Sequence, residues 1–340
     1  MLHSLLLSLG LHLLLLASQT KAINIDNSCK TWSVGDKTQS ITDALTATIK
    51  IYQRSSGFLD NFIQAPDLLS SLDRLRIQNL PTAFFLDPSH PEYVDTNDGL
   101  KGVFETLSGI TLDNYKPKIF CGITLTTAAD TTPDQKAGKF DLIQLTNPDG
   151  TPQINPSTGK QAFRYVEWTV PAEPSQWNDN EVPCDDENGV FTQAFTTNRA
   201  SGTHTITFCP KHWTQQAGVT INDAFPYDNT GMTDDYSTKA PPANELDYYR
   251  TSTAGVLAHE SHHVYIQPSQ DYPLHPPLGP LTLAYYYAGA TELKVQRIAA
   301  KGNYQDLYGN VDNCVSFALG FFFKGNQWTS GRAQKNPTPP

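Results

Sequence analysis

The amino-acid sequence predicts an α+β protein, in which strands fill the middle of the chain and helices follow. Residues 117–209 alternate apolar and polar side chains and contain many Thr, Asp, Pro and Gly residues, as expected of short strands joined by turns. Later segments instead repeat apolar residues at the spacing of an amphipathic helix. The sequence contains no low-complexity linker, so a single domain is expected over residues 23–328.

Each element follows from local periodicity and turn residues. Helices are predicted over five segments: 40–54, 68–75, 252–266, 281–300 and 311–324. Strands are predicted over another five: 118–126, 140–145, 161–170, 190–197 and 203–209. A loop is expected over 223–244 and a disordered tail over 329–340. This order predicts a twisted, mostly antiparallel sheet packed on the helix at 252–266, with further helices after it.

The first 22 residues form a Leu-rich run that ends in Thr20-Lys21-Ala22, which predicts a signal peptide cleaved after Ala22. The run is too short to span a membrane, so a secreted, extracellular protein is expected. Its removal takes away one of the 24 basic residues and none of the 34 acidic ones, so the formal net charge changes from −10 to −11. This acidic balance argues against nucleic acid or an anionic membrane as a partner.

Five cysteines remain after the predicted signal peptide, and in an oxidising compartment they are expected to pair. Cys184 and Cys209 flank two predicted strands, which favours a bridge between them. Cys29 with Cys121 is the favoured second pair, leaving Cys314 buried and free, although the sequence alone does not fix this choice. The sequence has no Cys-x-x-Cys motif, which argues against a thiolate zinc site.

The segment with the strongest chemical signature is His259-Glu260-Ser261-His262-His263. On a helix, residues i and i+4 share a face, so His259 and His263 can direct ring nitrogens at one zinc ion. Glu260 then lies beside the ion and can accept a proton from water. Thr251 or Ser252 can cap this helix. The alternative is a solvated helix that carries these residues by chance.

A catalytic zinc site needs a third protein ligand, and the sequence offers several candidates. Asp271, His275, Glu292, Asp306 and Asp312 all follow the motif. Glu292 suits a class of zinc site in which a later helix supplies the third ligand. Asp306 precedes Leu307-Tyr308-Gly309 and suits a different class of zinc site.

Several other polar and aromatic residues near the motif are expected to have structural roles. Asp247 and Asp271 are candidates for holding the zinc histidines through hydrogen bonds. His262 is expected to pack rather than bind metal, and His275 is expected in a proline-rich loop. The aromatic run 285–287 is expected to pack a helix.

Four motifs occur in the order found in the deuterolysin family of fungal secreted zinc proteases, the aspzincins. In chain order they are ITFCPKHW at 206–213, the zinc helix motif at 259–263, Asp306-Leu307-Tyr308-Gly309, and NCVSFALGF at 313–321. The chain resembles this family, or a related fungal zincin-like peptidase family, over roughly residues 180–325. The resemblance implies a zincin-like fold with one zinc ion held by His259, His263 and Asp306. It also implies that Glu260 is the general base and that Tyr308 donates a hydrogen bond to the oxyanion.

These observations predict a secreted zinc endopeptidase, a monomer that cleaves protein or peptide substrates by a zinc-activated water. The alternative is a catalytically inactive zinc-binding protein, such as a zinc scavenger or a surface antigen, on the same fold. Glu260 favours the enzyme, because zinc storage alone needs no carboxylate at that position. An inhibitory pro-segment within residues 23–110 remains possible from the sequence.

Overall fold

The computed structural model describes residues 23–32, 35–64, 80, 82–87, 89–136, 139–154, 161–168, 175–177, 184, 193–198, 202, 204–214, 233–279 and 281–336. The predicted signal peptide, the helix predicted over 68–75 and the first part of the loop predicted over 223–244 lie outside these residues.

The described residues form a mixed α+β structure, which confirms the α+β part of the predicted fold. Its helices are α1 (Asn27–Lys30), α2 (Thr38–Gln64), α3 (Tyr93–Ser108), α4 (Pro133–Lys136), α5 (Pro210–Thr214), α6 (Leu246–Arg250), α7 (Thr253–Tyr265), α8 (Tyr286–Ala300), α9 (Gln305–Gly309) and α10 (Val311–Phe322). A short 3-10 helix spans Tyr236–Thr238.

The strands are short and belong to separate sheets. They are β1 (Lys118–Cys121), β2 (Phe140–Gln144), β3 (Phe163–Glu167), β4 (Ser175–Trp177), β5 (Ala194–Asn198), β6 (His204–Phe208), β7 (Pro273–Leu278), β8 (Leu281–Leu283), β9 (Asn326–Gln327) and β10 (Gln334–Lys335). One sheet has the order β1-β6-β5, with β1 parallel and β5 antiparallel to β6. A second, antiparallel sheet has the order β2-β3-β4. Among the described residues, the middle of the chain therefore forms two small sheets, whereas the sequence predicted a single sheet.

The long helix α2 lies at the centre of the main hydrophobic core, against α3, α7 and α10. Two of its side chains hydrogen-bond directly to the backbone of α7. Thr48 Oγ1 donates to Ala254 O at 2.9 Å, and Tyr52 Oη donates to Ala258 O at 2.5 Å. These buried polar contacts fix the helix that carries the His-Glu-x-x-His motif relative to the N-terminal part of the domain.

The C-terminal region differs from the sequence prediction in two places. Residues 281–300 were predicted as one helix, but residues 281–283 form β8, which pairs with β7 in the proline-rich segment predicted as a loop. Proline lacks a backbone N–H, and a two-stranded hairpin tolerates it because one edge of each strand needs no partner. The tail predicted as disordered from residue 329 instead contains β10, which pairs with β9.

Two disulfide bonds tie distant segments together, as predicted. Cys29 is bonded to Cys121, and Cys184 to Cys209, whereas Cys314 is a buried free thiol. Such bonds persist in oxidising compartments. Among the described helices, none combines the length and the apolar character needed to cross a membrane.

Candidate metal centre

The motif helix α7 begins where its neighbour α6 ends, and the junction is tightly packed. Ser252 caps α7, since its side chain accepts a hydrogen bond from Gly255 N at 3.1 Å. A Cβ atom at position 255 would lie 2.4 Å from the carbonyl oxygens of Tyr249 and Arg250. Only glycine permits this close approach.

His259, His263 and Asp271 form a group that could hold a metal ion. The histidines lie one turn apart on α7, with their Nε2 atoms 3.3 Å from each other. Asp271 follows the helix and folds back, so that Oδ1 lies 3.5 Å from His259 Nε2 and Oδ2 lies 3.5 Å from His263 Nε2. The third member of the group is thus Asp271, one of the carboxylates that the sequence left open.

The spacing of these atoms fits a small divalent cation such as zinc. Tetrahedral bonds of about 2.0–2.2 Å place neighbouring ligand atoms roughly 3.3–3.6 Å apart. Asp271 Oδ1 is buried and has no hydrogen-bond partner among the described residues. A buried carboxylate oxygen is stabilised by a partner, and a cation between the three side chains would supply one.

Asp312 contacts His259 through Nδ1, the ring nitrogen that does not face His263. Its Oδ1 atom lies 2.8 Å from His259 Nδ1 and 2.5 Å from Arg250 Nε, and its side chain is fully buried. Arg250 Nη2 also lies 2.5 Å from His259 Nδ1, so Asp312 and Arg250 together hold this side of the ring and direct Nε2 toward His263 and Asp271. Arg250 balances the charge of Asp312, so a neutral ion pair supports the histidine.

The electrostatics of the group favour ionised carboxylates. Burial raises the pKa of Asp312, but the charges of Arg250 and His259 outweigh it and lower the pKa to about 2. Burial also opposes ionisation of Asp271, yet the two histidines hold its pKa well below the ordinary value. Burial and Arg250 lower the pKa of His259, but Asp271 and Asp312 outweigh them and raise it to about 9.

Glu260 lies outside the metal-binding group but within the same helical turn. Its side chain is buried, and Oε2 accepts a hydrogen bond of 2.7 Å from Thr196 Oγ1 on strand β5. The same hydroxyl lies 3.2 Å from Glu260 O. Strand β5 therefore fixes the orientation of this carboxylate, which belongs to the same helical turn as His259 and His263.

The other two residues proposed from the resemblance make contacts with other residues. Asp306 Oδ2 forms an ion pair with Arg297 Nε at 2.6 Å, so its carboxylate already has a charged partner. Tyr308 packs over Gly99, where an added Cβ would approach its ring to 2.6 Å. The carboxylate that the structure groups with the two histidines is thus Asp271, whereas Asp306 is paired with Arg297 and Tyr308 contacts Gly99.

The remaining candidate residues have other hydrogen-bond partners or lie outside the group. Glu292 Oε1 accepts a hydrogen bond from Gln296 Nε2, and Asp247 Oδ1 accepts one from Tyr287 N. His275 is exposed on β7. His262 is fully buried outside the group, and burial lowers its pKa to about 3, so it packs as a neutral side chain.

Sequence reasoning missed Tyr285, Thr196 and Arg250. Tyr285 Oη donates a hydrogen bond of 3.1 Å to Asp271 Oδ2, and Thr196 and Arg250 make the contacts described above. The Tyr285-Tyr286-Tyr287 run resembles ordinary helix packing, and the other two residues belong to no motif. Only the folding of the chain places these three residues near the group formed by His259, His263 and Asp271.

Comparisons with known proteins add no relative. The chain matches no protein-family model, and neither the curated proteins nor the solved structures contain a match.

Proposed function

We propose that this protein is a secreted zinc endopeptidase with a zincin-like fold, in which Glu260 acts as general base. The observation that carries the proposal is a buried carboxylate, held by Thr196, in the same helical turn as two histidines that form a group with Asp271. Two imidazoles and one carboxylate are a donor set of catalytic zinc sites, which keep a further position open. When bound there, zinc supplies polarisation of a carbonyl group and a lowered pKa of water.

The protein's own groups account for the proton movements of hydrolysis. Glu260 accepts a proton as the oxygen of a water molecule bonds to the peptide carbonyl carbon. The same carboxyl then donates that proton to the departing amine as the C–N bond breaks. Thr196 holds the carboxylate in place, while Asp312 and Arg250 hold His259.

Strand β5 contacts the proposed base, because its Thr196 Oγ1 donates a hydrogen bond to Glu260 Oε2. A peptide substrate that lies along this strand would therefore run close to Glu260.

A zinc-binding protein without catalysis is the second candidate, because the metal-binding group alone would serve it. The deciding experiment measures casein hydrolysis by purified, zinc-loaded protein beside the Glu260→Gln variant, with zinc content determined for both. Glu292→Gln is the matched control, since its carboxylate lies on α8 and contacts Gln296.

We expect activity in the wild type and the control, and none in an equally zinc-loaded Glu260→Gln protein. Zinc binding without hydrolysis in all three proteins would favour the second candidate.

A further inference from the structure

Tyr285 places a hydroxyl group at the metal-binding group. Its Oη atom is 3.1 Å from Asp271 Oδ2, and its ring centroid is 6.1 Å from that of His259. The residue lies between strand β8 and helix α8, in the segment that the sequence predicted as continuous helix.

The backbone after Tyr285 is held in an uncommon conformation. Tyr286 has φ of 59°, the left-handed region that a bulky residue rarely adopts. Its N–H donates to Asp312 Oδ2 at 2.5 Å, and the N–H of Tyr287 donates to Asp247 Oδ1 at 2.8 Å. Backbone strain that is held by surrounding contacts is a known feature of functional sites.

Asp312 therefore connects two parts of the centre. One of its oxygens orients His259, and the other holds the turn that follows Tyr285. A single buried carboxylate thus fixes both a metal-binding imidazole and the tyrosine that faces it.

We propose that Tyr285 is a catalytic residue, whose hydroxyl exchanges its hydrogen bond to Asp271 Oδ2 for one to the oxygen that becomes negatively charged when a peptide carbonyl is attacked. This assignment deepens the proposed function and rests on it. It replaces Tyr308, which packs on Gly99 and lines a separate cavity of about 430 Å³. The hydroxyl keeps its proton throughout, so no further reactant is required.

The test uses Tyr285→Phe, with Tyr308→Phe as the matched control, in the full-length protein loaded with Co²⁺. Inorganic phosphate serves as a tetrahedral oxyanion probe, and its binding is followed by the visible absorption of cobalt. Cobalt affinity, melting temperature, and the kcat and KM of casein hydrolysis are measured on the same samples.

We expect Tyr285→Phe to bind phosphate at least about tenfold more weakly and to lose about 100-fold in kcat, as removal of one oxyanion donor does elsewhere. Cobalt affinity and KM are expected to change little, and Tyr308→Phe is expected to match the wild type.

Several results would overturn the assignment. Equal phosphate affinity in both variants would do so, as would absence of phosphate binding in the wild type. Loss of cobalt from Tyr285→Phe would show that the hydroxyl serves only to hold Asp271. If phosphate binding depends on Tyr285 but the wild type cleaves no casein, the oxyanion contact stands and the peptidase proposal fails.

Discussion

At the scale of single residues, the metal-binding group depends on which carboxylate folds back onto α7. Asp271 and Asp306 both follow the motif in sequence, yet only Asp271 lies 3.5 Å from the histidine nitrogens. Asp306 is instead neutralised by Arg297. A carboxylate already paired with a guanidinium is a poor competitor for a metal ion.

We therefore expect Asp271→Asn to weaken zinc binding by about 100-fold or more, because even the partners of metal ligands contribute about 10–100-fold. Asp306→Asn is the control and is expected to retain the affinity of the wild type. Competition with a chromogenic chelator measures both. Equal losses in the two variants would contradict the assignment of Asp271.

The raised pKa of Asp247 predicts that stability depends on pH. Burial raises its pKa from the ordinary value of 3.8 to about 6, although the N–H of Tyr287 donates to it. A raised folded-state pKa stabilises the protonated protein, so this contribution is complete below about pH 4 and is lost as the pH rises through 6.

Asp247→Asn removes the buried charge, and we expect it to raise the free energy of unfolding at pH 7.5 by about 1–3 kcal/mol. At pH 4 we expect the difference from the wild type to shrink to a few tenths of a kcal/mol. Urea unfolding at the two pH values measures this, and a pH-independent difference would contradict it.

At the scale of elements, helix α2 positions the motif helix. Tyr52 Oη donates to the carbonyl of Ala258, the residue before His259, and Thr48 makes a similar contact one turn earlier. A helix in the N-terminal part of the chain is thus packed in the same core as the candidate site.

Removing the Tyr52 hydroxyl by Tyr52→Phe is expected to lower the free energy of unfolding by about 1–2 kcal/mol, the value of a buried hydrogen bond. Tyr93→Phe, at a half-buried position on α3, is expected to change it by less than about 0.5 kcal/mol. Chemical denaturation compares the two, and similar losses would argue against a specific α2–α7 contact.

The accuracy of the sequence predictions varies between elements for a physical reason. Helices α2, α7 and α10 were predicted because their apolar spacing is a local property of the chain. Hairpin β7–β8 was missed, since its prolines indicate a loop and its pairing involves separated residues. Helix α3 was not predicted at all.

At the scale of the whole molecule, the two disulfide bonds differ in the length of chain that they enclose. Cys29 and Cys121 are 92 residues apart, whereas Cys184 and Cys209 are 25 apart. A longer closed loop restricts the unfolded chain more strongly, and it stabilises the folded state more in the chain-entropy description.

Replacing Cys29 and Cys121 with Ser is expected to cost about 4.5 kcal/mol, compared with about 3.5 kcal/mol for Cys184 and Cys209. Urea unfolding of both double variants without reductant measures the difference. A larger loss from the shorter loop would show that native contacts, rather than chain entropy, set the contribution.

The sequence by itself determined the α+β class and the helix that carries His259, Glu260 and His263, and it favoured the two cysteine pairs without fixing them. These follow from local periodicity, from the i, i+4 geometry of a helix and from the count of thiols. Only the tertiary structure decided that Asp271 completes the metal-binding group, that Asp312 supports His259 and that Tyr285 faces them. These residues come together through chain reversals and buried ion pairs, which depend on packing between segments far apart in sequence.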